Sequence, residues 1–415
     1  MKIAIVGSGI AGLTCAYLLN RQHDIQVFEA SDWIGGHTHT VDVEVQGRSY
    51  AIDTGFIVFN DWTYPNFIRL LEQLGVGFKP TEMSFSVSDP ATGVEYNGHD
   101  LNTLFAQRSN LLSPAFWGML RDILRFNRQA LDDLANNRIS ADTTLGQYLD
   151  SNGYGRRFIE HYIVPMGSAI WSMSLADMLG FPLQFFVRFC KNHGLLSVSD
   201  RPTWQVIEGG SRSYVAPLTA SFAERIRLNC PVSRVVRDQD GVTLHSAAGA
   251  ERFDKVIFAC HSDQALALLE QPSEQERDIL GALPYANNDV VLHTDTRLLP
   301  KRKLAWASWN YRLGGPTDQP AAVTYNMNIL QGIDSDTTFC VSLNQTAAID
   351  PSKILARFQY AHPQYSLAGT AAQARWEELL GAQHTYYCGA YWANGFHEDG
   401  VVSALRVARA FGETL

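Results

Sequence analysis

The chain has 415 residues, 46% of them hydrophobic, which is enough for two packed units with a large core. Its net charge of −9 at pH 7, with no cluster of Lys and Arg, argues against nucleic acid as the main partner. Six dispersed cysteines without a CxxC pair predict free thiols in a reducing cytoplasm. We expect no signal peptide, because no basic segment followed by an apolar one opens the sequence, and no membrane span, because no stretch of about 18 consecutive apolar residues exists.

The chain opens with a strand, a glycine-rich turn and a helix. Lys2–Val6 is apolar and β-branched, which favours a buried parallel strand. A helical pattern runs from Ile10 to about Leu19, and a second strand, Ile25–Phe28, ends in Glu29. The turn has the spacing GxGxxG, and the whole stretch is typical of a dinucleotide-binding βαβ unit. The turn residues are Gly7, Ser8, Gly9, Ile10, Ala11 and Gly12.

Each part of this unit has a physical role beside a dinucleotide. Gly7 permits the tight turn, Gly9 lets the backbone approach a pyrophosphate, and Gly12 lets the helix pack closely on the strand. The helix N-terminus presents free N–H groups to the phosphates. Glu29, followed by Ala30, lies where a carboxylate accepts hydrogen bonds from ribose hydroxyls. Since a carboxylate repels a 2′-phosphate, the pattern disfavours NADP.

A second glycine pair follows soon after this unit. Gly35 and Gly36 precede His37 and Thr40. This arrangement resembles the extended motif of the FAD superfamily that includes flavin amine oxidases, phytoene-type desaturases and protoporphyrinogen oxidase. The resemblance implies an FAD cofactor, with the backbone of the glycine pair close to the pyrophosphate and the flavin. An Arg commonly follows the pair in that superfamily, whereas His37 lacks the charge and the fork of donors.

The next motif follows a predicted hairpin of Val41–Val45 and Ser49–Ile52. In the same superfamily an Asp-x-Gly after such a hairpin brings the backbone near the flavin ring. Asp53, Thr54 and Gly55 match that motif. The alternative role for Asp53 is to cap a turn with its carboxylate.

The resemblance returns at the far end of the chain. A predicted strand, Thr385–Gly389, leads through a turn into a helix from Val401 to about Phe411. This is similar to the closing flavin motif of the superfamily, in which the last helix aims its N-terminus at the flavin. In the middle of the chain, Val232 best matches a Val whose backbone pairs with adenine. The closing-motif residues that the resemblance places at the cofactor are Gly389, Phe396, Glu398, Asp399 and Val401.

The two end motifs imply an α/β fold for the whole chain. It has a Rossmann-like FAD-binding domain of the glutathione reductase type and a discontinuous α+β substrate domain. The FAD-binding domain takes residues 1–60, 204–284 and 380–415, and the substrate domain takes 61–203 and 285–379. Helical periodicity between about 101 and 196 predicts a helical insertion over the substrate side. Its predicted helices are Phe116–Leu134, Thr144–Ser151, Arg156–Ile163 and Ala176–Phe189.

A flavin performs the redox step itself, so few catalytic side chains are required. The candidates to position a substrate or relay a proton are His37, His261, Tyr391 and Trp392. His261 follows a predicted buried strand, at the edge where ligands of α/β sheets bind, although an imidazole there also suits a turn cap. We find no catalytic triad and expect no metal, because His37 and His39 point apart on an extended chain.

The helical insertion is rich in large apolar groups, which favours an apolar, acyl-chain or lipid-like substrate. Amine oxidases of this fold usually carry a Lys on the strand that enters the second half of the substrate domain, and Tyr285–Val291 contains none. The chain looks most like a bacterial group of predicted FAD oxidoreductases related to flavin desaturases and a flavin fatty-acid isomerase. This resemblance implies hydride transfer from a small apolar substrate to flavin N5 by a desaturase, oxidase or isomerase.

Two other functions stay open. One is an amine oxidase that releases hydrogen peroxide, and the other is a non-catalytic flavin or lipid carrier. Peripheral contact with a membrane surface is a hypothesis that rests on the apolar insertion. The sequence predicts neither the electron acceptor nor the oligomeric state.

Overall fold

A computed structural model describes residues 1–314, 318 and 321–415. The strands in this part of the chain are β1 (Lys2–Val6), β2 (Asp24–Phe28), β3 (Thr40–Val45), β4 (Arg48–Asp53), β5 (Val58–Asn60), β6 (Phe78–Pro80), β7 (Phe85–Asp89), β8 (Val94–Asn97), β9 (Trp204–Ile207), β10 (Ile226–Arg227), β11 (Val232–Asp238), β12 (Gly241–Ser246), β13 (Gly249–Phe253), β14 (Lys255–Phe258), β15 (Tyr285–His293), β16 (Trp309–Arg312), β17 (Val323–Asn326), β18 (Cys340–Leu343), β19 (Ile354–Pro363) and β20 (Thr385–Tyr387).

The α-helices are α1 (Ile10–Leu19), α2 (Pro65–Leu74), α3 (Leu101–Leu104), α4 (Pro114–Ala135), α5 (Leu145–Ser151), α6 (Arg156–Phe158), α7 (Val164–Trp171), α8 (Leu175–Leu179), α9 (Leu183–Asn192), α10 (Val215–Thr219), α11 (Ser262–Leu268), α12 (Glu274–Gly281), α13 (Met327–Leu330), α14 (Leu367–Gln373) and α15 (His397–Ala410). Short 3₁₀ turns join several of them. No helix among the described residues is both long and apolar enough to cross a membrane.

A five-stranded parallel sheet carries the glycine-rich turn. Its strand order is β10-β2-β1-β14-β20. The apolar run of β1 is buried on both faces, as parallel strands between helices require, and α1 packs against α15 beside it. Val6 pairs with both Phe28 and Phe258, and Phe258 pairs with Tyr387, so four strands end at the same level. The predicted Rossmann-like fold is confirmed, and its ligand-binding edge is defined by these four strand ends.

A seven-stranded mixed sheet forms the second layer, in the order β19-β15-β18-β17-β16-β7-β8. Its strands come from residues 85–97 and 285–363, and the helices between α4 and α9 share one hydrophobic core with it. The five parallel strands come from residues 2–28, 226–258 and 385–387. Both sheets are therefore assembled from the segments that the predicted domains group together, and the domain boundaries themselves stay a prediction.

Two predicted helices of the insertion are interrupted. The prediction of one helix over Ala176–Phe189 is wrong, because Pro182 begins a new helix and α8 ends before Gly180. Arg156–Ile163 is helical but continues to Trp171 through a π-helical turn. Pro165 has no N–H to donate to the carbonyl of His161, which accepts the hydroxyl of Tyr96 instead, at 2.6 Å.

Short helical turns join several of the strands. Residues 211–225 form a 3₁₀ turn, the single-turn helix α10 and a second 3₁₀ turn. Strand β17 ends at Asn326, whose side chain caps α13. Strand β19 was not predicted, although it pairs along the full length of β15.

Candidate functional site

The turn between β1 and α1 contains three glycines. A side chain at Gly7 or Gly12 would clash with backbone atoms, whereas Gly9 faces open space. Gly7 has a φ of +106°, and a Cβ there would lie 2.8 Å from the carbonyl oxygen of Ala259. A Cβ on Gly12 would lie 2.1 Å from the carbonyl oxygen of Gly7. A Cβ on Gly9 would meet no protein atom within 4 Å. Gly9 therefore borders a groove at the N-terminus of α1, where Ile10 and Ala11 carry N–H groups free for an anion.

The second glycine pair lies against this turn. Gly35 forms an isolated parallel bridge with Gly9, and a Cβ on Gly36 would approach the Cα of Gly9 to 3.2 Å. Both Gly35 and Gly36 have positive φ values, of +124° and +59°. The backbones of the two turns therefore lie together, and their contact with a diphosphate stays a prediction.

Glu29 ends β2 at the same edge. One carboxylate oxygen accepts hydrogen bonds from Ser8 N at 2.9 Å and Ser8 Oγ at 2.7 Å, and the other accepts from Ser31 N at 2.8 Å. The N–H of Cys230 donates to the carbonyl of Glu29, so the segment that leads to Val232 lies beside it. Ala30 is exposed next to Glu29. The ribose and adenine contacts predicted for these residues stay predictions, and their grouping supports them.

The side chain of Asp53 links the β3–β4 hairpin to Ser211, which follows Gly209 and Gly210. Its buried carboxylate accepts hydrogen bonds from Thr40 Oγ1 at 2.5 Å, from Ser211 N at 2.9 Å and from Ser211 Oγ at 2.9 Å. Burial raises the pKa of Asp53 to about 6, against the opposing effect of these donors. Thr54 donates to the carbonyl of His39 at 3.0 Å. The side chain of Asp53 thus fixes backbone positions.

Gly55 brings this hairpin onto His37. A Cβ on Gly55 would lie 2.2 Å from the carbonyl oxygen of His37, and Phe56 N donates to the same oxygen at 2.7 Å. The motif Asp53-Thr54-Gly55 therefore sets the position of the His37 backbone. The ring of His37 faces residues of the seven-stranded sheet.

Three imidazoles lie together between the two sheets. The ring centre of His37 is 6.3 Å from that of His261 and 5.6 Å from that of His362. Tyr360 lies 5.3 Å from His37, and Tyr285 stacks on His261 at 4.0 Å. Burial lowers the pKa of His37 and His261 to about 4 and that of His362 to about 3. All three imidazoles are therefore uncharged at neutral pH.

Polar neighbours fix the proton of His362. Asn288 Nδ2 lies 3.2 Å from its Nδ1, and Ser172 Oγ lies 3.0 Å from the same atom. Because the Asn288 amide donates, Nδ1 is the acceptor and the ring proton resides on Nε2. His261 occupies the N-cap position of α11, where its backbone N–H bonds Gln264 Oε1 at 3.3 Å. Its ring is stacked on Tyr285 and remains part of the cluster.

The C-terminal turn places Tyr391 and Trp392 against this cluster. Both are buried, and Tyr391 lies edge-on to Tyr285 with ring centres 6.4 Å apart. Gln373 Nε2 donates to the carbonyls of Tyr391 and Ala393, at 2.7 Å each, and so holds the turn. A Cβ on Gly389 would lie 2.4 Å from the ring of Tyr391, so the ring packs directly on this backbone.

The two acids of the closing motif are occupied by protein groups. Glu398 accepts from the N–H groups of Asn66 and Phe67, at 3.1 and 2.8 Å, and so caps α2. Asp399 accepts from the N–H of Phe396 at 2.9 Å, and burial raises its pKa to about 6. A cofactor contact of this motif therefore falls to the backbone at the start of α15. Val401 in the same helix is fully buried.

Several buried polar atoms around the cluster have no hydrogen-bond partner within residues 1–314, 318 and 321–415. They are His37 Nε2, Tyr365 Oη, Tyr391 Oη and Trp392 Nε1. Buried polar groups normally have partners, so these four atoms are available to polar groups of a bound molecule. Together with the open groove at Gly9 they fit a dinucleotide whose ring system lies at the cluster. In the described residues no group of three or more His, Cys, Asp or Glu side chains could hold a metal ion.

Tyr360 and His362 were missed by the sequence analysis. Both lie on β19, in which Phe358, Tyr360 and His362 alternate with polar or small residues. That alternation of period two is the signal that would have predicted the strand and placed the three rings on one face.

Comparison with known proteins agrees with this geometry. The sequence profile of the flavin containing amine oxidoreductase family matches residues 10–338. A protein of Mycobacterium tuberculosis assigned as the flavin-containing monoamine oxidase AofH is 23% identical over 350 residues, which cover 79% of this chain and 71% of that protein.

Two solved structures share the fold over nearly the whole chain. A putrescine oxidase variant superposes with a TM-score of 0.71 at 15% identity and covers 99% of this chain and 98% of its own. A CLA-producing fatty acid isomerase from P. acnes superposes with a TM-score of 0.69 at 16% identity, with the same coverage. At this identity the structures show the fold alone.

Proposed function

This chain belongs to the flavin containing amine oxidoreductase family, and from that premise we propose that it oxidises or isomerises the acyl chain of an apolar substrate. As a member of that family it is an FAD-dependent oxidoreductase. The residues that suit FAD are the backbone of Gly7–Gly12 and of the pair Gly35–Gly36, the carboxylate of Glu29 and the start of α15. Bound FAD supplies the hydride acceptor, and the protein supplies position and a dry cavity.

The uncharged imidazole cluster is the observation that carries the substrate proposal. Strand β15 has no Lys, and the polar group that it offers to the cluster is the amide of Asn288. His37, His261 and His362 are neutral at pH 7 because burial lowers the pKa of each. A saturated or allylic carbon develops little charge before hydride transfer and needs orientation more than ion pairing.

Aromatic side chains of the insertion support an acyl chain. Tyr365 packs against Trp171, Phe181 and Phe185, with ring centres 5.0 to 6.3 Å apart. A groove of about 540 Å³ runs along Phe185, Phe189 and Trp392. The aromatic side chains on this groove can bind and align an acyl chain.

Two arginines on the wall of this groove favour an anionic head group. Arg188 and Arg406 both line it. Arg406 is part-buried and lies over the ring of Trp376 at 4.8 Å, and no carboxylate of the described residues is within ion-pair distance of it. A carboxylate would provide the missing counter-ion. We therefore propose a fatty acid with a free carboxylate as the preferred substrate.

An anaerobic titration that follows the visible flavin band tests this proposal. Unsaturated fatty acids form one series, their methyl esters a second, and primary amines and polyamines a third. We expect bleaching by the acids, weaker bleaching by the esters and none by amines. The replacement Arg406→Gln should remove the preference for the acid over the ester.

The other outcomes identify the alternatives. Bleaching by amines with release of hydrogen peroxide would replace this proposal by amine oxidation. Absence of bleaching requires product analysis, because an isomerase returns the hydride to the substrate. A shifted double bond would support the proposal that the enzyme acts on the acyl chain, and an unchanged fatty acid would overturn it.

The proposed location is the cytoplasm. All six cysteines are free thiols in the structure, five of them buried. A reducing compartment suits this state. Alkylation of the intact cellular protein, compared with alkylation after reduction, would show equal labelling if the thiols are free in the cell.

A further inference from the structure

One face of the helical insertion exposes large apolar side chains beside unpaired arginines. Leu112 is 88% exposed, Leu124 58% and Trp117 50%. The Trp117 indole donates to the carbonyl of Leu111 at 3.0 Å, which joins the 3₁₀ turn Arg108–Leu112 to the first turn of α4. Single exposed apolar residues need no explanation, but a contiguous group of this kind marks an interaction surface.

Helical spacing puts cations on the same face. Trp117, Arg121, Leu124 and Arg128 follow at intervals of four, three and four residues, so they form one stripe of α4. Arg121 and Arg128 are exposed, and neither has an ion pair or a side-chain hydrogen bond to any described residue. We call this group the Leu112 surface. Its members are Leu111, Leu112, Trp117, Arg121, Leu124 and Arg128.

The local charge is opposite to that of the whole chain. Residues 101–138 contain five arginines and three acids. Asp122 is buried and accepts from Gly155 N at 2.9 Å, and Asp132 and Asp133, at the end of α4, both pair with Arg138. The exposed run Lys301–Leu304 adds further cations beside α3. The arginines of α4 are spaced along one helical face, and Lys301 and Lys303 join this region only in the fold. The net charge of the chain is nevertheless −9.

We propose that the Leu112 surface docks on the interface of a bilayer that contains anionic lipids. Leucine and tryptophan side chains enter the head-group region of such a surface, and arginines bind the lipid phosphates. The acidic remainder of the chain is repelled from the same membrane, which fixes the orientation. A second copy of this chain suits the surface less, because Arg121 and Arg128 of both copies would face each other. Docking rests on this surface and does not depend on the flavin reaction.

Vesicle co-sedimentation of the full-length holoprotein tests the docking. The vesicles are phosphatidylcholine alone and an equimolar mixture with phosphatidylglycerol. We expect binding to the mixed vesicles only, and its loss in NaCl of about 0.5 M, where the Debye length falls to a few ångströms. The double variant Arg121→Gln/Arg128→Gln should bind at least about tenfold more weakly, since each cation near such a surface contributes about fivefold.

The double variant Leu112→Ser/Leu124→Ser should also lose at least about tenfold in vesicle binding, since two exposed apolar side chains no longer enter the interface. The matched controls are Val198→Ser, an apolar residue that is 69% exposed, and Arg277→Gln, an exposed arginine on α12. Thermal melting and the flavin absorbance of each variant show that it is folded. We expect both control variants to bind vesicles as strongly as the wild type does.

Two results would overturn the proposal. One is equal vesicle binding by the wild type and the surface variants, or no binding at all. The other is a change of oligomeric state in the variants without vesicles, which would assign the surface to a second copy of the chain. Bleaching of the flavin by detergent-dispersed fatty acid is measured in parallel. Since detergent replaces the bilayer there, failure of docking and failure of the proposed redox function give different results.

Discussion

The nucleotide end and the imidazole cluster are built in opposite ways. Gly7, Gly9 and Gly12 act on a turn of six consecutive residues, and each has a role that local geometry explains. The cluster joins His37 to His261 and His362, which follow it in the chain by 224 and 325 residues. A site made of one segment can be recognised from spacing, whereas a site made of several strand ends depends on how the sheets pack.

The largest expected effect comes from a substitution in the glycine-rich turn between β1 and α1. Gly12→Val would put a Cβ 2.1 Å from the carbonyl oxygen of Gly7, which is backbone and has no room to move. We expect a loss of at least about 4 kcal/mol in the free energy of unfolding, which is exceptional for one substitution. Urea denaturation measures it. A variant with wild-type stability would show that α1 packs less closely on β1 than the structure has it.

Sequence prediction followed the same division between local and distant signals. Lys2–Val6 and Ile10–Leu19 were predicted to the residue, because a buried run and a glycine turn define their ends. The interruption between α8 and α9 was predictable from Pro182 alone. The π-helical turn could not, since it depends on a hydroxyl of Tyr96, a distant residue, that replaces the N–H missing at Pro165.

The candidate site divides likewise. His37 and His261 were predicted because they follow recognisable motifs, and the structure brings their rings together. His362 was missed because its strand was missed, and its polar partners Asn288 and Ser172 come from two other elements. No spacing within β19 shows that Ser172, at the end of α7, reaches this imidazole.

The second prediction concerns Asp53, whose carboxylate links the β3–β4 hairpin to Ser211. Its folded pKa of about 6 lies above the ordinary value of 3.8, so burial disfavours the carboxylate. Its contribution to stability is therefore present below pH 4 and lost as the pH rises through 6, a loss of about 3 kcal/mol. Asp53→Asn should remove this loss, and urea denaturation between pH 4 and 7 at saturating FAD measures it. The same pH dependence in the variant and the wild type would contradict a buried charge at Asp53.

The third prediction separates binding from packing in the glycine turn. Gly9→Val meets no protein atom at Cβ, so the unfolding free energy of the apoprotein should hardly change. The side chain would enter the groove that suits the diphosphate, and we expect FAD affinity to fall by about fivefold to a hundredfold, since overpacking costs about 1–3 kcal/mol. Fluorescence titration of the apoprotein with FAD measures this. Unchanged affinity would place the diphosphate elsewhere.

The smallest expected effect tests the cluster. Asn288→Asp would put a carboxylate at the position where the amide now lies 3.2 Å from His362 Nδ1. A neighbouring carboxylate favours the imidazolium, so the pKa of His362 should rise from about 3 by about one unit or more. Proton NMR of labelled histidine measures the titration directly. In the wild type the three imidazoles stay neutral above pH 5, so the flavin spectrum should not change with pH on their account.

Asn287→Asp is the matched control for this change. Asn287 is the preceding residue of β15 and is exposed, because successive side chains of a strand point to opposite faces. The control introduces the same charge one residue away, yet the pKa of His362 should stay near 3, since water screens the exposed carboxylate. A rise in both variants would mean that long-range charge governs the imidazole. A rise in Asn288→Asp alone shows that its protonation is controlled by one strand position, which local sequence could not reveal.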